Sequence, residues 1–479
     1  MKQTRLTLLA VPMCMSFILL TATACKKTAA PVSNAANQAS PALSIKEVKE
    51  QRLAWNLKTL VEPYEHAGYT NSKWDASAKL ALTEFAHARA KALETNESSG
   101  EIISTNVAAA ARSGCDDPMV NYLFIKYAMD QTNSKETFVQ AFRRTADNMQ
   151  QSPYPKIRKF YASLRTAEQL KYAAGNTTNI SPEEHEYRQQ AIANLSDALD
   201  DKTIPIGEVD DACHEMLGVV ERSQKQYVYC YNLIENPLFQ NWPDESVVWL
   251  LKGEAHIKMA WFARGGGYAN TVTDEGSKLF QEHLAVVEES LNHAWKLNPH
   301  DPRIAVKMMW VELGQGKGRD RMESWFHHAM ELDPNNYDAC SAKCLYLEPK
   351  WYGSTEEMIA FGRECVRTKE WGGSVPLTLV DAHRDIPFYY LSGSEKTNYW
   401  KQPQVWPDIK AAYDRFFELN PGAVGYYHNY AWYAYHAEQW DALSELISKL
   451  GPVNHEFFGG KDEFDKMVRL AKEHASKPK

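Results

Sequence analysis

Asp381, His383 and Arg384 are the best cluster of proton-handling side chains in this 479-residue chain. A carboxylate beside an imidazole is the pairing used for general acid–base work, and an arginine next to them can hold an anion. Their spacing argues against joint chemistry. Ser374 and Pro376 can start a helix here, and on a helix residues two apart face different directions. Asp381 and His383 therefore read as structural hydrogen-bonding groups first and as ligand contacts second. Lys350-Trp351-Tyr352-Gly353-Ser354 puts two aromatics on a loop entering a helix, with Glu356 and Glu357 in its first turn. Trp351 and Tyr352 either pack on a neighbouring helix or stack on a ligand. Arg264 leads into Gly265-Gly266-Gly267, but a dinucleotide fingerprint follows a strand and this run follows a helical pattern. Gly314-Gln315-Gly316-Lys317-Gly318 lacks the spacing and the hydroxyl of a phosphate loop. His185-Glu186 and His214-Glu215 do not extend to H-E-x-x-H, and no G-x-S-x-G elbow occurs. No catalytic residue, metal ligand or cofactor is assigned. Arg264, Trp351, Tyr352, Asp381, His383 and Arg384 remain as candidate contacts to a ligand or partner.

A different chemistry is written at the start. Lys2 and Arg5 precede an apolar run from Leu6 to Leu20, then Ala22-Thr23-Ala24 and Cys25. The run suits a secretion signal and is short for a membrane span. Small residues before a cysteine resemble the lipobox of bacterial lipoproteins, with Ala22 where that family usually has Leu. The resemblance implies a signal peptide over residues 1–24 and lipid on Cys25. Lys26, where enteric lipoproteins retained in the inner membrane carry Asp, leans towards the outer membrane, facing the periplasm. The rival reading is cleavage after Ala22 or Ala24 without lipid. Residues 26–44 are small, polar and proline-punctuated, a tether with a reach of roughly 25 Å. The membrane partner is then the bilayer itself, through the lipid.

Six cysteines remain beyond Cys14 and Cys25: Cys115, Cys213, Cys230, Cys340, Cys344 and Cys365. In an oxidising compartment they can form disulfides of undetermined connectivity. Cys340 and Cys344 stand one helical turn apart, yet no C-x-x-C pair or finger-like histidine spacing supports zinc, and buried free thiols are the third reading. A net charge of -8 offers no basic field, which excludes nucleic acid as a natural partner. Hydrophobic content of 44% is ample for a core.

The elements that position these residues read as helices. Residues 77–94 are rich in good helix formers, and 119–129 are apolar nearly all round. Ser181 can cap a helix beginning at Pro182, with Glu184 closing a capping box. Residues 45–235 form an irregular helical region. Farther on, Phe280, Leu284, Val287, Leu291 and Ala294 step by 4, 3, 4 and 3, one face of a helix. That helix stops at Asn298-Pro299. Asp333-Pro334 follows after 35 residues (334 less 299), and Asn420-Pro421 after a further 87 (421 less 334).

These stops resemble the tetratricopeptide repeat, with its period of about 34 residues. On that alignment Ala329, Phe326 and Met309 take the repeat's small, aromatic and inner-helix positions, while Trp310 and Met322 replace small residues. Asn429-Tyr430-Ala431 and Ala442 look like one more degenerate pair. Three segments, 263–269, 349–354 and 371–384, resemble a bacterial family of tetratricopeptide-like proteins that carry a domain of unknown function. That likeness spans about residues 245–390 and implies a helical repeat fold without a stated activity. The expectation is an all-α chain, an α-solenoid of tetratricopeptide-like helix pairs over 236–479 with an insertion around 345–390, after the irregular helical half. Such a surface suits a protein or peptide partner. The alternatives are an envelope hydrolase with its site near 345–390, or a structural subunit of an envelope complex.

Overall fold

The computed structural model describes residues 45–91, 100–130, 132–175, 179–220, 223–266 and 271–475. Among these the chain forms 21 α-helices, a few 3₁₀ turns and no strand. The fold is all-α and built from helix pairs. Cys25 and the segment before residue 45 lie outside the described residues. The rest divides into two compact units, and the division falls within two long helices.

The first unit holds the described residues up to Ala255, with Asn292–Asn298. Its helices are α1 (Ile45–Ala67), α2 (Asp75–Lys91), α3 (Gly100–Arg112), α4 (Pro118–Tyr127), α5 (Lys135–Gln151), α6 (Lys156–Ala173), α7 (Pro182–Ala198), α8 (Ile206–Val220) and α9 (Gln224–Asn241). From α1 to α7 each packs on the next, and α8 returns to pack on α1 and α6. Tyr64, Leu82, Ile103, Val107 and Leu123 fill the core between α1 and α4, each worth roughly 1.5–3 kcal/mol of buried side chain.

Caps set the turns. Ser181 Oγ accepts from Glu184 N at 3.0 Å, so α7 begins as the sequence indicates. The capping box does not close: the Glu184 carboxylate is buried and takes the Arg188 guanidinium one turn on. Asp117 goes further. Fully buried, it accepts from Met119 N and Val120 N at the start of α4, from Tyr69 N at 3.0 Å and from the Tyr154 hydroxyl at 2.9 Å. One carboxylate thus ties two interhelical turns to α4. Burial raises its pKa, and these four donors hold it down in part.

The second unit holds His256–Leu291 and the described residues from Pro299 onward. Each unit takes part of α10 (Ser246–Arg264) and of α11 (Asp274–Leu297). Then come α12 (Pro302–Gln315), α13 (Arg319–Leu332), α14 (Tyr337–Tyr346), α15 (Thr355–Arg367), α16 (Thr378–Tyr389), α17 (Gly393–Asn398), α18 (Val405–Leu419), α19 (Tyr427–His436), α20 (Trp440–Lys449) and α21 (Lys461–His474). α11, α13 and α18 all end at a leucine two residues before Pro299, Pro334 and Pro421, because the proline cannot continue a helix. The repeat positions Ala329, Phe326 and Met309 are buried. Trp310 sits where a small residue would bring two helices together, and the close approach moves one turn on, to Gly314. A Cβ there would lie 2.6 Å from Leu284 Cδ1 and 3.0 Å from Phe280 Cζ. Gly316 closes α12 with a left-handed φ of 62°, so the glycine-rich run is an interhelical turn. Residues 345–390 hold the end of α14 and the packed pair α15 and α16.

Candidate functional site

The six candidate contact residues fall into three separate groups. Asp381 and Arg384, on α16, form one. Asp381 accepts from the Tyr337 hydroxyl and from Arg384 Nη1 at 2.6 Å, and Arg384 Nε reaches Asp385 at 3.0 Å. His383 belongs to another. It is 1% exposed, with Nδ1 2.8 Å from the Tyr399 hydroxyl and Nε2 3.1 Å from Asp408, which also takes Arg363 Nε at 3.0 Å. Asp381 and His383 do not meet, as their spacing on a helix indicated. The start of α16 differs from expectation. Residues Val375–Leu377 form a 3₁₀ turn, and Ser374 makes no side-chain cap. The chain Tyr399–His383–Asp408–Arg363 has the hydrogen-bond order of a nucleophile, base and acid. Its tyrosine and histidine are nevertheless sealed in the core, at 6% and 1% exposure, so it holds α16 to α18 rather than meeting a substrate.

Arg264 and Trp351 come together through a residue that drew no notice in the sequence, and Tyr352 joins them through Trp351, its ring 6.2 Å away. Trp261 on α10 meets Phe280 at 5.1 Å, Trp310 at 6.4 Å and Trp351 at 6.0 Å. The Arg264 guanidinium lies 5.7 Å over the Trp261 ring. Tyr352 stacks 4.6 Å from Tyr346 and donates its hydroxyl to Leu313 O at 3.0 Å. Loop 347–354 is thereby packed on α12, and Ser354 caps α15 through Glu357 N.

The first unit carries a concave site that the motifs did not mark. A small cleft lies among α1, α2, α4, α5 and α6. Leu60, Leu82, Phe85, Met119, Leu123 and Met149 give it an apolar floor. Arg89, Arg158, Arg165, Tyr122 and Tyr161 also line it. Behind them α8 presents Glu208, Asp211 and Glu215. Arg158 pairs with Glu208, both side chains nearly sealed at 6% and 1% exposure. Arg165 pairs with Glu215 and with Glu168 at 2.7 Å. Arg89 shares Asp211 with Arg52, each at 2.9 Å. Burial raises the pKa of Asp211 and of Glu215, while the arginines oppose it.

Two polar atoms of residues lining this cleft have no hydrogen-bond partner although both are buried, Arg158 Nε and the Tyr161 hydroxyl; behind them Oε2 of Glu208, the ion-pair partner of Arg158, is likewise buried without one. Arg158 and Arg89 lie 4.9 and 5.9 Å over the Tyr161 ring, so the phenol is fixed from its faces and its oxygen is left unoccupied. The signal was present in the sequence. Arg158, Tyr161 and Arg165 step by 3 and 4, and so do Glu208, Asp211 and Glu215. Those are two helix faces of opposite charge in the same register.

Among the described residues no group of three or more His, Cys, Asp or Glu could hold a metal ion, and no helix is long and apolar enough to cross a membrane. The six cysteines from Cys115 to Cys365 are all buried and carry free thiols, and Cys365 contacts Cys340. Compared with known proteins, the chain matches no family model and no curated sequence.

Proposed function

We propose that this chain is a binding protein of the bacterial envelope, held at the membrane by lipid on Cys25 and facing the periplasm. It captures a ligand without chemical change. One observation carries this reading: an open cleft with an apolar floor, at which Arg158 Nε and the Tyr161 hydroxyl are buried and unpartnered. Buried polar groups are nearly always satisfied, and an orphaned pair of donors in a concave site is what a ligand would complete. The hydrolase alternative has less support, because Asp381 and His383 are committed to Tyr337, Arg384, Tyr399 and Asp408. A protein or peptide partner on the helix pairs of the second unit is a second reading. The exposed side chains of Phe388 and Tyr426, 53% and 41% accessible, favour it.

The test is to purify the protein from its native membrane and identify what travels with it by mass spectrometry. Wild type should release one small molecule near one equivalent, and Ala162→Trp, which fills the cleft, should release none. Equal recovery from both, or conversion of the molecule on incubation, would overturn the reading.

A further inference from the structure

The class of ligand follows from the signs of the charges, given that the cleft is a binding site. We infer that the cleft takes a molecule with an apolar body and a single anionic group, a carboxylate or a phosphate.

Arg89, Arg158 and Arg165 face the cleft, and no carboxylate is among its lining residues. Their acidic partners on α8 stand behind the guanidinium groups rather than in the cleft. This second layer orients the arginines, so little side-chain freedom is lost when an anion arrives. Lys126 adds to the same side. It lies one turn from Tyr122 on α4, its ammonium 5.2 Å over Phe85 and 5.3 Å over Tyr127, with no carboxylate partner among the described residues. Burial lowers its pKa, with smaller contributions from the nearby charges of Arg165 and Arg89, and the Glu215 carboxylate opposes the shift. The unpartnered Arg158 Nε and Tyr161 hydroxyl can both donate to such a group. A bare inorganic anion would leave the six-residue apolar floor unused, and a cation would meet three arginines.

The experiment uses the whole chain carrying Cys25→Ala, so that no anchor lipid competes. Four decyl-chain probes are titrated by calorimetry: decanoate, decyl phosphate, decanol and decyltrimethylammonium. Decanoate and decyl phosphate should bind at one equivalent, and the other two about tenfold more weakly or worse. The relative affinity of the two anions distinguishes a carboxylate from a phosphate source. Tyr161→Phe removes only a hydroxyl without a partner, so the fold should persist while decanoate binding weakens several-fold. Arg165→Gln should weaken both anions and leave decanol unchanged. Equal binding of decanol and decanoate overturns the anionic class and leaves the cleft as a binding site. Decanoate binding that survives Ala162→Trp overturns both. Binding by none of the four overturns the class outright.

Discussion

His436 illustrates how burial selects protonation states in this protein. Its ring lies 3.9 Å from that of Trp432, and burial, with help from the Lys401 charge, pulls its pKa down to about 4. In the unfolded chain an imidazole titrates near 6.5. Stability is therefore full above about pH 6.5 and falls as acid protonates the unfolded form first. We expect the thermal midpoint of the second unit to drop between pH 6.5 and 4, and His436→Gln to flatten that slope whatever it does to the plateau. A profile unchanged by the substitution would refute the assignment. At this scale the sequence was partly legible. It showed that Asp381 and His383 are not a pair, because helix geometry is local. It did not show that His383 meets Asp408 and Tyr399, because those partners arrive from α18 and the turn before it.

Helix ends were the most legible elements. A leucine followed by Asn-Pro or Asp-Pro dictates a stop, and α11, α13 and α18 obey it. Helix contacts were less legible. The repeat pattern placed the small contact residue at position 310, which is Trp310, and the structure moves the approach to Gly314. An indole can replace a small residue if a glycine one turn on yields the room. Gly314→Ala puts a methyl 2.6 Å from Leu284 Cδ1, tighter than any real contact. We expect it to cost about 1–3 kcal/mol of stability, from overpacking that outweighs the helix propensity gained. Denaturant unfolding measures this, and a stabilised variant would show that α11 yields freely. The cleft was missed at this level too. Its two matched 3-and-4 charge stripes, on α6 and α8, lie some fifty residues apart, and only the return of α8 to α1 and α6 brings them together.

For the whole molecule, attachment is the decisive question. The described residues carry no membrane-crossing helix, and the lipidation reading rests on Cys25 and its small neighbours. Lipid contributes about 0.8 kcal/mol per buried CH₂, so loss of the acyl chains should release the protein altogether. Cys25→Ala should move it from the membrane pellet to the soluble fraction, or stall it with its signal attached. An unmodified Cys25 in the intact mass of the mature wild-type chain would overturn the proposal.

The six buried thiols set the order of events in such a life. Each unit owns three: Cys115, Cys213 and Cys230 in the first, Cys340, Cys344 and Cys365 in the second. None is disulfide-bonded to another, although Cys365 and Cys340 share a hydrogen bond, and burial pushes the Cys115 thiol up to about 11, away from the reactive thiolate. In an oxidising compartment an unfolded copy of this chain would be open to mispaired bridges, whereas in a folded copy all six sulfur atoms are buried. On the proposed export route, helix packing must close over the sulfur atoms before an oxidant reaches them. The hydrophobic core keeps oxidants away from the thiols.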